Sequence, residues 1–473
     1  MLSFMHTFLR QWKRRYNYRE VLRVCLPLVL GMSATTVMEF TDRAFLSNYS
    51  IAAISAAVPA GITSFLFIAF FGGVGSYVGV FIAQYHGRGA NDRIGRVLWQ
   101  GIYFTLFSGL VFWLLAIFAT KPIFALAGHE TAVRELEEIY FSILCKGAIL
   151  QVAANTLGTF FTGRGITRPV MLITFAAVLL NIPLNYALIY GRWGLPEMGI
   201  TGAGIATVLA WGINALILAV LIFLNRKNKR YGIFTGYRFD SALTMRLLRY
   251  GIPGSLQFTL DILAFTLFIL LVGRIGTLEL AATNIVLSIN AVAFMPSMGV
   301  SHGVSILVGQ ALGKGKPGLA KRAVWSAIHL LVLYILMIDL LFIFFPEQVL
   351  TPFIHGGRDS ESVVAIMTTG AALLKIISVY LLLDALYMVF SGVLKGAGDT
   401  RFIMVSVGVS SLVCLVLPVY FGITRFGMGV TGAWSCVLLF VVTLFLLSAG
   451  RYLTGKWQHM LVIERDARQK KTD

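Results

Sequence analysis

Leu22-Arg23-x-x-Leu26-Pro27 occurs again, 226 residues later, as Leu248-Arg249-x-x-Ile252-Pro253. Three further segments recur in the same order at offsets of 226 to 233 residues: Gln84-x-x-Gly87-Arg88-Gly89 as Gln310-x-x-Gly313-Lys314-Gly315, Gly163-x-Gly165-x-Thr167-Arg168 as Gly396-x-Gly398-x-Thr400-Arg401, and Met198-Gly199-Ile200-Thr201-Gly202-Ala203 as Met428-Gly429-Val430-Thr431-Gly432-Ala433. The chain therefore consists of two repeats. Membrane transporters are often built from two repeats with a substrate site between them.

The composition places both repeats in a lipid bilayer. Hydrophobic residues make up 58% of the chain and charged residues only 13%, with a mean hydropathy of +0.81, whereas a soluble protein carries about 25% charged residues. Apolar runs of spanning length, about 17 to 25 residues, occur near residues 20–44, 55–83, 97–119, 136–161, 170–190, 201–224, 247–272, 280–311, 323–345, 364–394, 402–422 and 430–450. The sequence predicts an all-α membrane protein with twelve transmembrane helices, six in each repeat.

The helix count and the basic residues predict the topology. Because six is an even number, both repeats begin on the same side of the membrane and are parallel. With the N-terminus inside, 30 of the 39 Lys and Arg residues fall on the cytoplasmic side and 7 outside, which sets both termini in the cytoplasm. We expect an N-terminal lobe at 1–224, a cytoplasmic linker at 225–246 and a C-terminal lobe at 247–473 in the plasma (inner) membrane, with Gly357 outside.

The net charge of +18 follows from the same bias, and it predicts contact with anionic lipid headgroups and not with nucleic acid. The sequence has no zinc-protease, serine-hydrolase, phosphate-loop or dinucleotide motif. It therefore predicts neither an enzyme nor a cofactor. Transport would be passive or driven by a gradient of H+ or Na+, and a monomer is expected.

Carboxylates within the predicted spans are the first candidates for chemistry, because an acid in a bilayer is costly and usually functional. Glu39 and Asp42 are three residues apart in the first helix and share one face; an ion pair of Asp42 with Arg43 is the alternative reading. Asp261 in the seventh helix and Asp384 in the tenth have no basic residue one turn away. We expect both to lie in the second lobe near one site that binds substrate or protons.

Asn181 and Asn185 are four residues apart in the fifth helix and face the same way. Either they hold helices together, or with Asp42 and Thr207 they form a cluster of hard oxygen ligands. Such a cluster suits H+ or Na+ and not a soft metal, and no metal site beyond Na+ at Asp42 is predicted.

Two prolines occupy matching places in the first helix of each lobe, Pro27 and Pro253. A proline inside a helix frees a carbonyl group and bends the helix. These bends either only shape the bundle or act as hinges.

The order of these motifs, present twice, resembles that of the multidrug and toxic compound extrusion (MATE) family over nearly the whole chain. The matching segments are Leu22-Arg23-x-x-Leu26-Pro27 in helix one and Leu248-Arg249-x-x-Ile252-Pro253 in helix seven, Met38-Glu39-Phe40-Thr41-Asp42, Asn181-Ile-Pro-Leu-Asn185, Gly-x-x-Gly-Ala in helices six and twelve, and Asp384 followed by Ser391-Gly392-x-x-Lys395-Gly396-x-Gly398-Asp399-Thr400. The resemblance implies two six-helix lobes that form a V, and antiport of lipophilic organic cations against H+ or Na+.

The resemblance also implies roles for the polar residues of the first lobe. Asp42 matches the acid of helix one, and Asn181 and Asn185 match the polar pair of helix five. Because the DinF-like branch carries Asp at the second position of that pair, Asn185 places the chain closer to the NorM-like branch.

In the second lobe, Asp384 matches the helix-ten Asp of NorM-like members, and Asp261 stands where these members often carry Glu. The shorter side chain of Asp261 departs from that pattern. Glu39 is not part of the pattern; it either adds a second charge that attracts cations or pairs with Arg43.

Two other functions compete with cation export. A lipid-linked oligosaccharide flippase of the same wider superfamily would carry pyrophosphate and would need Arg and Lys within its spans, where this chain has acids and only Lys146 and Lys375. A structural or scaffolding membrane protein would not need embedded carboxylates. The sequence therefore favours a secondary antiporter, without naming its substrate or its coupling ion.

Overall fold

The computed structural model describes residues 17–353 and 361–464. The predictions for Gly357 and for the two chain ends fall outside these residues. Throughout the described residues the protein is helical without a strand, and the predicted all-α architecture with twelve transmembrane helices is confirmed. The helices are α1 (Tyr18–Tyr49), α2 (Ile51–Arg88), α3 (Asp92–Leu126), α4 (Thr131–Thr162), α5 (Arg168–Tyr190), α6 (Ile200–Phe223), α7 (Ser241–Val272), α8 (Thr277–Gly313), α9 (Pro317–Phe344), α10 (Val363–Ala397), α11 (Thr400–Phe426) and α12 (Val430–Leu453).

These helices follow from composition and from the solvent. Each contains an 18-residue window with a mean hydropathy between 1.2 and 2.6, and a helix satisfies its backbone N–H and C=O groups within its own segment, as lipid requires. Pro27 and Pro253 lie inside the continuous helices α1 and α7. Their action as hinges stays a prediction.

The described chain forms two compact units. Among the described residues, the N-unit comprises Leu30–Ser255, Gly313–Gly315 and 461–464; the C-unit comprises 17–29, Leu256–Leu312, 316–353 and 361–460. Helix α1 passes from the C-unit into the N-unit two residues after Pro27. Helix α7 passes from the N-unit into the C-unit two residues after Pro253. The lobe boundaries drawn from the sequence at 224 and 247 stay predictions.

In the N-unit, the linker 225–246 is held against the first turns of α3 by Gln100, which is fully buried. The Gln100 Oε1 atom accepts hydrogen bonds from the Asp240 N–H at 3.1 Å and the Thr244 hydroxyl at 3.0 Å. Its Nε2 atom donates to the Arg238 carbonyl at 3.1 Å. Because buried polar groups need partners, one side chain fixes where the linker begins its return into α7.

The last described residues also dock on the N-unit. Val462 and Ile463 are buried in the core at the end of α2, and the Val462 N–H donates to Gln84 Oε1 at 2.9 Å. The segment is thus held both by apolar burial and by a buried amide.

Glu464, the last described residue, makes three polar contacts. Its carboxylate accepts a hydrogen bond from the Tyr85 hydroxyl at 2.8 Å and pairs with Arg246 at 2.8 Å, and its carbonyl accepts from Arg88. Burial opposes the charge of this carboxylate, but its own backbone N–H, the Tyr85 hydroxyl, Arg246 and Arg93 together outweigh burial and lower its pKa.

Docking of residues 461–464 is therefore expected to weaken in acid. Because the docked-state pKa of Glu464 is lowered, its contribution is complete above the ordinary Glu pKa of about 4.3 and is lost as the pH falls through the docked-state value. The protection of the Val462 amide against hydrogen exchange, measured relative to an unstructured amide at the same pH, should fall over that range in the wild type. In Glu464→Gln this protection should already be lower at neutral pH and show no such acid step; an unchanged step in this variant would contradict the assignment.

Candidate functional site

The four predicted coupling-ion residues lie together in the N-unit, where three helices supply them. Asp42 comes from α1, Asn181 and Asn185 from consecutive turns of α5, and Thr207 from α6; all four are buried. The Asn185 Nδ2 atom donates to Asp42 Oδ1 at 2.5 Å and to Asn181 Oδ1 at 2.8 Å. The Thr207 hydroxyl donates to Asp42 Oδ2 at 2.8 Å. Both carboxylate oxygens of Asp42 are thus hydrogen-bonded, while the role of the cluster stays a prediction.

The close approach of α5 and α6 depends on the glycine of the repeated motif. A Cβ atom at Gly202 would stand 2.5 Å from the Leu188 carbonyl oxygen, a separation that no real side chain tolerates. Gly202 therefore lets α6 run against α5, and this contact brings Thr207 within reach of the acid on α1.

Two features of this cluster bear on what it can bind. The Thr207 hydroxyl has a second acceptor, the Ala203 carbonyl at 3.1 Å. Asn185 Oδ1 and Asn181 Nδ2 are buried without a hydrogen-bond partner. Since a buried polar atom without a partner is costly, the cluster is poised to accept a further polar group or ion.

Among the described hydrogen bonds, none joins Glu39 to the Asp42 cluster. Its carboxylate lies 4.0 Å from the Arg43 guanidinium, with about half of each side chain exposed. The geometry agrees with the ion-pair alternative; an exposed pair of this kind contributes about 0.2 to 1 kcal/mol.

A second polar cluster lies in the C-unit between α7 and α10. Asp261 and Asp384 interact electrostatically with one another, so the structure brings the two predicted acids together. Next to them, Gln257 on α7 donates to the Tyr387 hydroxyl on α10 at 3.3 Å, and both side chains are buried. Their predicted part in substrate or proton binding is untested by this geometry.

Lys395 is a charged neighbour of this cluster that the sequence reasoning missed. It interacts electrostatically with Asp261 and with His302 of α8. The topology drawn from the sequence places Lys395 among the 30 basic residues on the cytoplasmic side. Because 134 positions separate it from Asp261, no local pattern of residues predicts their interaction.

Sequence reasoning also passed over two buried acids, Glu137 in α4 and Asp339 in α9. Both lie within the spans drawn from hydropathy, so a full scan of the spans for carboxylates would have found them. By contrast, Lys146 and Lys375, the two lysines noted within spans, have exposed side chains. Across residues 17–353 and 361–464, no group of three His, Cys, Asp or Glu residues is placed to hold a metal ion.

Comparison with known proteins gives consistent matches. The MatE family profile matches residues 27–187 and 253–421, once in each repeat. Proteins named probable multidrug resistance protein NorM are similar: that of Synechocystis sp. is 28% identical over 391 residues, 82% of this chain and 84% of the relative, and that of Xylella fastidiosa is 27% identical over 456 residues, 94% and 92%.

Two solved structures share the fold. A MOP superfamily transporter from Pyrococcus furiosus, whose binding pocket is described as having reverse polarity, superposes with a TM-score of 0.84 at 21% identity, covering 95% of this chain and 98% of that one. A multidrug resistance MATE family transporter in an outward-facing conformation gives a TM-score of 0.84 at 21% identity, covering 94% and 98%.

Proposed function

This chain belongs to the MatE family, and from that membership we propose that it exports lipophilic organic cations across the plasma membrane in exchange for H+ or Na+. It is an integral multi-pass membrane protein and a transporter, not an enzyme. The names of its relatives support multidrug efflux as the broad activity. The geometry of the two polar clusters supports the finer assignment.

The Thr207 hydroxyl has two hydrogen-bond acceptors within reach, Asp42 Oδ2 and the Ala203 carbonyl, and this arrangement favours H+ as the coupling ion. When Asp42 is charged, the Thr207 hydroxyl donates to Asp42 Oδ2; when Asp42 is protonated, its O–H can donate to Thr207 Oγ while the threonine hydrogen turns to the Ala203 carbonyl. Both protonation states are therefore satisfied without movement of a heavy atom. This is the observation that carries the proposal.

Na+ requires a larger change at the same place. The Asn185 NH2 group faces Asp42, so a sodium ion would have to turn this amide to present Oδ1, which is the oxygen without a partner. Hard oxygen ligands of this kind suit Na+ once turned. Na+ is thus the second candidate.

The substrate class is proposed from the acids of the C-unit. When deprotonated, Asp261 and Asp384 place negative charge in a low-dielectric surround, where a cation gains more than it does in water. A lipophilic cation satisfies both this attraction and the apolar environment. Protonation of Asp261 or Asp384 would remove this negative charge and so favour substrate release.

One transport experiment tests both the class of transporter and the identity of the coupling ion. Efflux of a fluorescent organic cation is followed in energised proteoliposomes in which either the pH gradient or the Na+ gradient is collapsed separately. We expect loss of efflux when the pH gradient is collapsed and little change when the Na+ gradient is. The opposite result would assign Na+, and efflux that survives both would contradict antiport.

Competition between substrates distinguishes cation export from the flippase alternative. Quaternary ammonium compounds should inhibit efflux of the fluorescent cation, because all would share the acids of the C-unit, and anionic drugs should not. A lipid pyrophosphate cargo predicts the reverse ranking. Inhibition by anions alone would favour the flippase and point to Lys395 as its ligand.

The cytoplasmic position of the linker is proposed from the distribution of basic residues. Lys227→Cys in the linker should resist an impermeant thiol reagent added to intact cells, whereas Trp193→Cys in the exposed turn after α5 should react. Labelling of position 227 alone would reverse the topology and with it the direction of transport. A monomeric state and contact with anionic lipids are part of the same proposal.

A further inference from the structure

A groove of about 290 Å³ lies in the N-unit between α3, α4 and α6. Its walls include Trp99 and Leu106 of α3, Ile149 and Ala153 of α4, and Phe223 of α6. Leu106 is 58% exposed, so the groove is open on one side. Because all three helices are transmembrane, that open side faces lipid.

The few polar groups of the groove already have partners within the protein. Thr105 and Thr156 are its two polar lining residues. The Thr105 hydroxyl donates to the Gly101 carbonyl at 2.9 Å, and the two threonine hydroxyls lie 3.1 Å apart, so that Thr156 donates to Thr105. No charged residue is among the residues described as lining the groove. A polar or charged ligand would lose water here without gaining a partner, whereas a hydrocarbon chain would bury apolar surface.

The length of the groove fits one leaflet of a bilayer. It runs along α3 from Trp99 to Leu106, seven residues later. At a rise of about 1.5 Å per residue this distance is about 10 Å. The hydrocarbon layer of one leaflet is about 15 Å deep, half of the full core. The groove therefore accommodates part of a single acyl chain.

One end of the groove lies against the linker 225–246. The Trp99 Nε1 atom donates to the Ile233 carbonyl at 2.7 Å, and the Trp99 ring lies 5.6 Å from that of Phe223, the last residue of α6. Tyr237 and Phe239 of the linker are exposed. Because aromatic residues are enriched where a membrane meets water, this end of the groove lies at the level of the lipid headgroups.

The linker brings a surplus of positive charge to this end. Arg226 and Lys227 follow Phe223 by three and four residues. None of the described ion pairs includes a basic residue of 225–240. Asp240, the acid of this stretch, accepts a hydrogen bond from the Leu243 N–H at 3.0 Å. The exposed basic residues of the stretch are Arg226, Lys227, Lys229, Arg230 and Arg238.

We propose that this groove binds one acyl chain of a phospholipid with an anionic headgroup, and that Arg226 and Lys227 hold the headgroup. The apolar walls meet the tail and the basic end meets the phosphate, in the order in which a bilayer presents these groups. A lipophilic cation matches the walls but is repelled by the basic end. The inference rests on the contact with anionic lipids that is part of the function proposed above, and it gives this contact a site.

Quenching of Trp99 fluorescence by brominated lipids tests the site, because Trp99 is one of its walls. The protein is reconstituted in phosphatidylcholine vesicles that contain increasing fractions of brominated phosphatidylglycerol or brominated phosphatidylcholine. The signal of Trp99 is the difference between the wild type and Trp99→Phe. Half-quenching should need about fivefold less of the anionic lipid, the factor that one basic residue near the surface supplies. Equal quenching by the two lipids would overturn the proposal.

Variants distinguish the groove from its basic end. Ala153→Phe places a ring inside the groove and should abolish the preference for the anionic lipid, whereas Ala125→Phe, at an exposed position near the other end of α3, should keep it. Arg226→Gln combined with Lys227→Gln leaves the groove open and should also remove the preference. Arg192→Gln, in the exposed turn after α5, is the control for charge. A preference that survives the filled groove or the neutralised linker would overturn the proposal.

A competing ligand and a transport assay complete the test. An unbrominated quaternary ammonium compound should not relieve the quenching of Trp99; relief would place the transported cation in the groove and overturn the assignment to lipid. Exchange of cations for protons is measured in vesicles of the same composition without bromine. Loss of the lipid preference with intact exchange counts against this site alone, and loss of exchange with an intact preference counts against the proposed antiport alone.

Discussion

Asp42→Asn should reduce gradient-driven cation efflux to the level of protein-free vesicles while the protein still inserts and folds. Asparagine can still accept hydrogen bonds from Thr207 or Asn185, so the packing survives, but it can neither release a proton nor attract Na+. A site that no longer distinguishes two ionic states cannot couple a gradient to transport. Efflux is measured in proteoliposomes with an imposed pH gradient.

Variants at Thr207 separate the charge of Asp42 from its hydrogen bonds. Thr207→Val keeps the shape and removes the hydroxyl that serves both protonation states, so it should impair proton-driven efflux strongly, whereas Thr207→Ser should retain it. Asn48→Ala, at an exposed position of the same helix, is the control and should transport normally. Normal efflux by Asp42→Asn would remove Asp42 from the coupling role.

Asp384→Asn is expected to weaken binding of a fluorescent cation by about 2 kcal/mol, roughly thirtyfold in Kd, because a charged group facing a charged ligand in a low-dielectric site is lost. Lys395→Met should shift affinity in the opposite direction, since it removes the positive charge beside Asp261. Binding is measured by fluorescence anisotropy on the detergent-solubilised protein. These opposite signs would not arise from a general loss of packing.

Glu347→Gln provides the control for this series. Glu347 is an exposed acid of the same unit, outside the transmembrane helices, and its loss should leave the Kd unchanged. Equal weakening by Asp384→Asn and Glu347→Gln would mean that surface potential, and not the cluster between α7 and α10, attracts the cation.

The sequence by itself identified the twelve helices, the two repeats and four of the carboxylates that lie within the helices. Hydropathy is a property of consecutive residues, so the spans could be drawn without knowing any contact, and an acid such as Asp261 stands out inside such a span. The duplicated Leu-Arg-x-x-(Leu or Ile)-Pro motif revealed the two repeats in the same way, and the even number of spans in each repeat predicts that the repeats are parallel. These inferences need only local composition and the rule that lipid solvates no charge.

Only the tertiary structure decided which polar groups meet. How closely the helices approach and how each is rotated decide three such meetings: the Thr207 hydroxyl with its two acceptors, Glu137 with His129, and Lys395 with Asp261. That approach is set by atoms such as the missing Cβ of Gly202, which lets α6 reach the Leu188 carbonyl. Because such contacts join residues far apart in sequence, no local pattern of residues contains them.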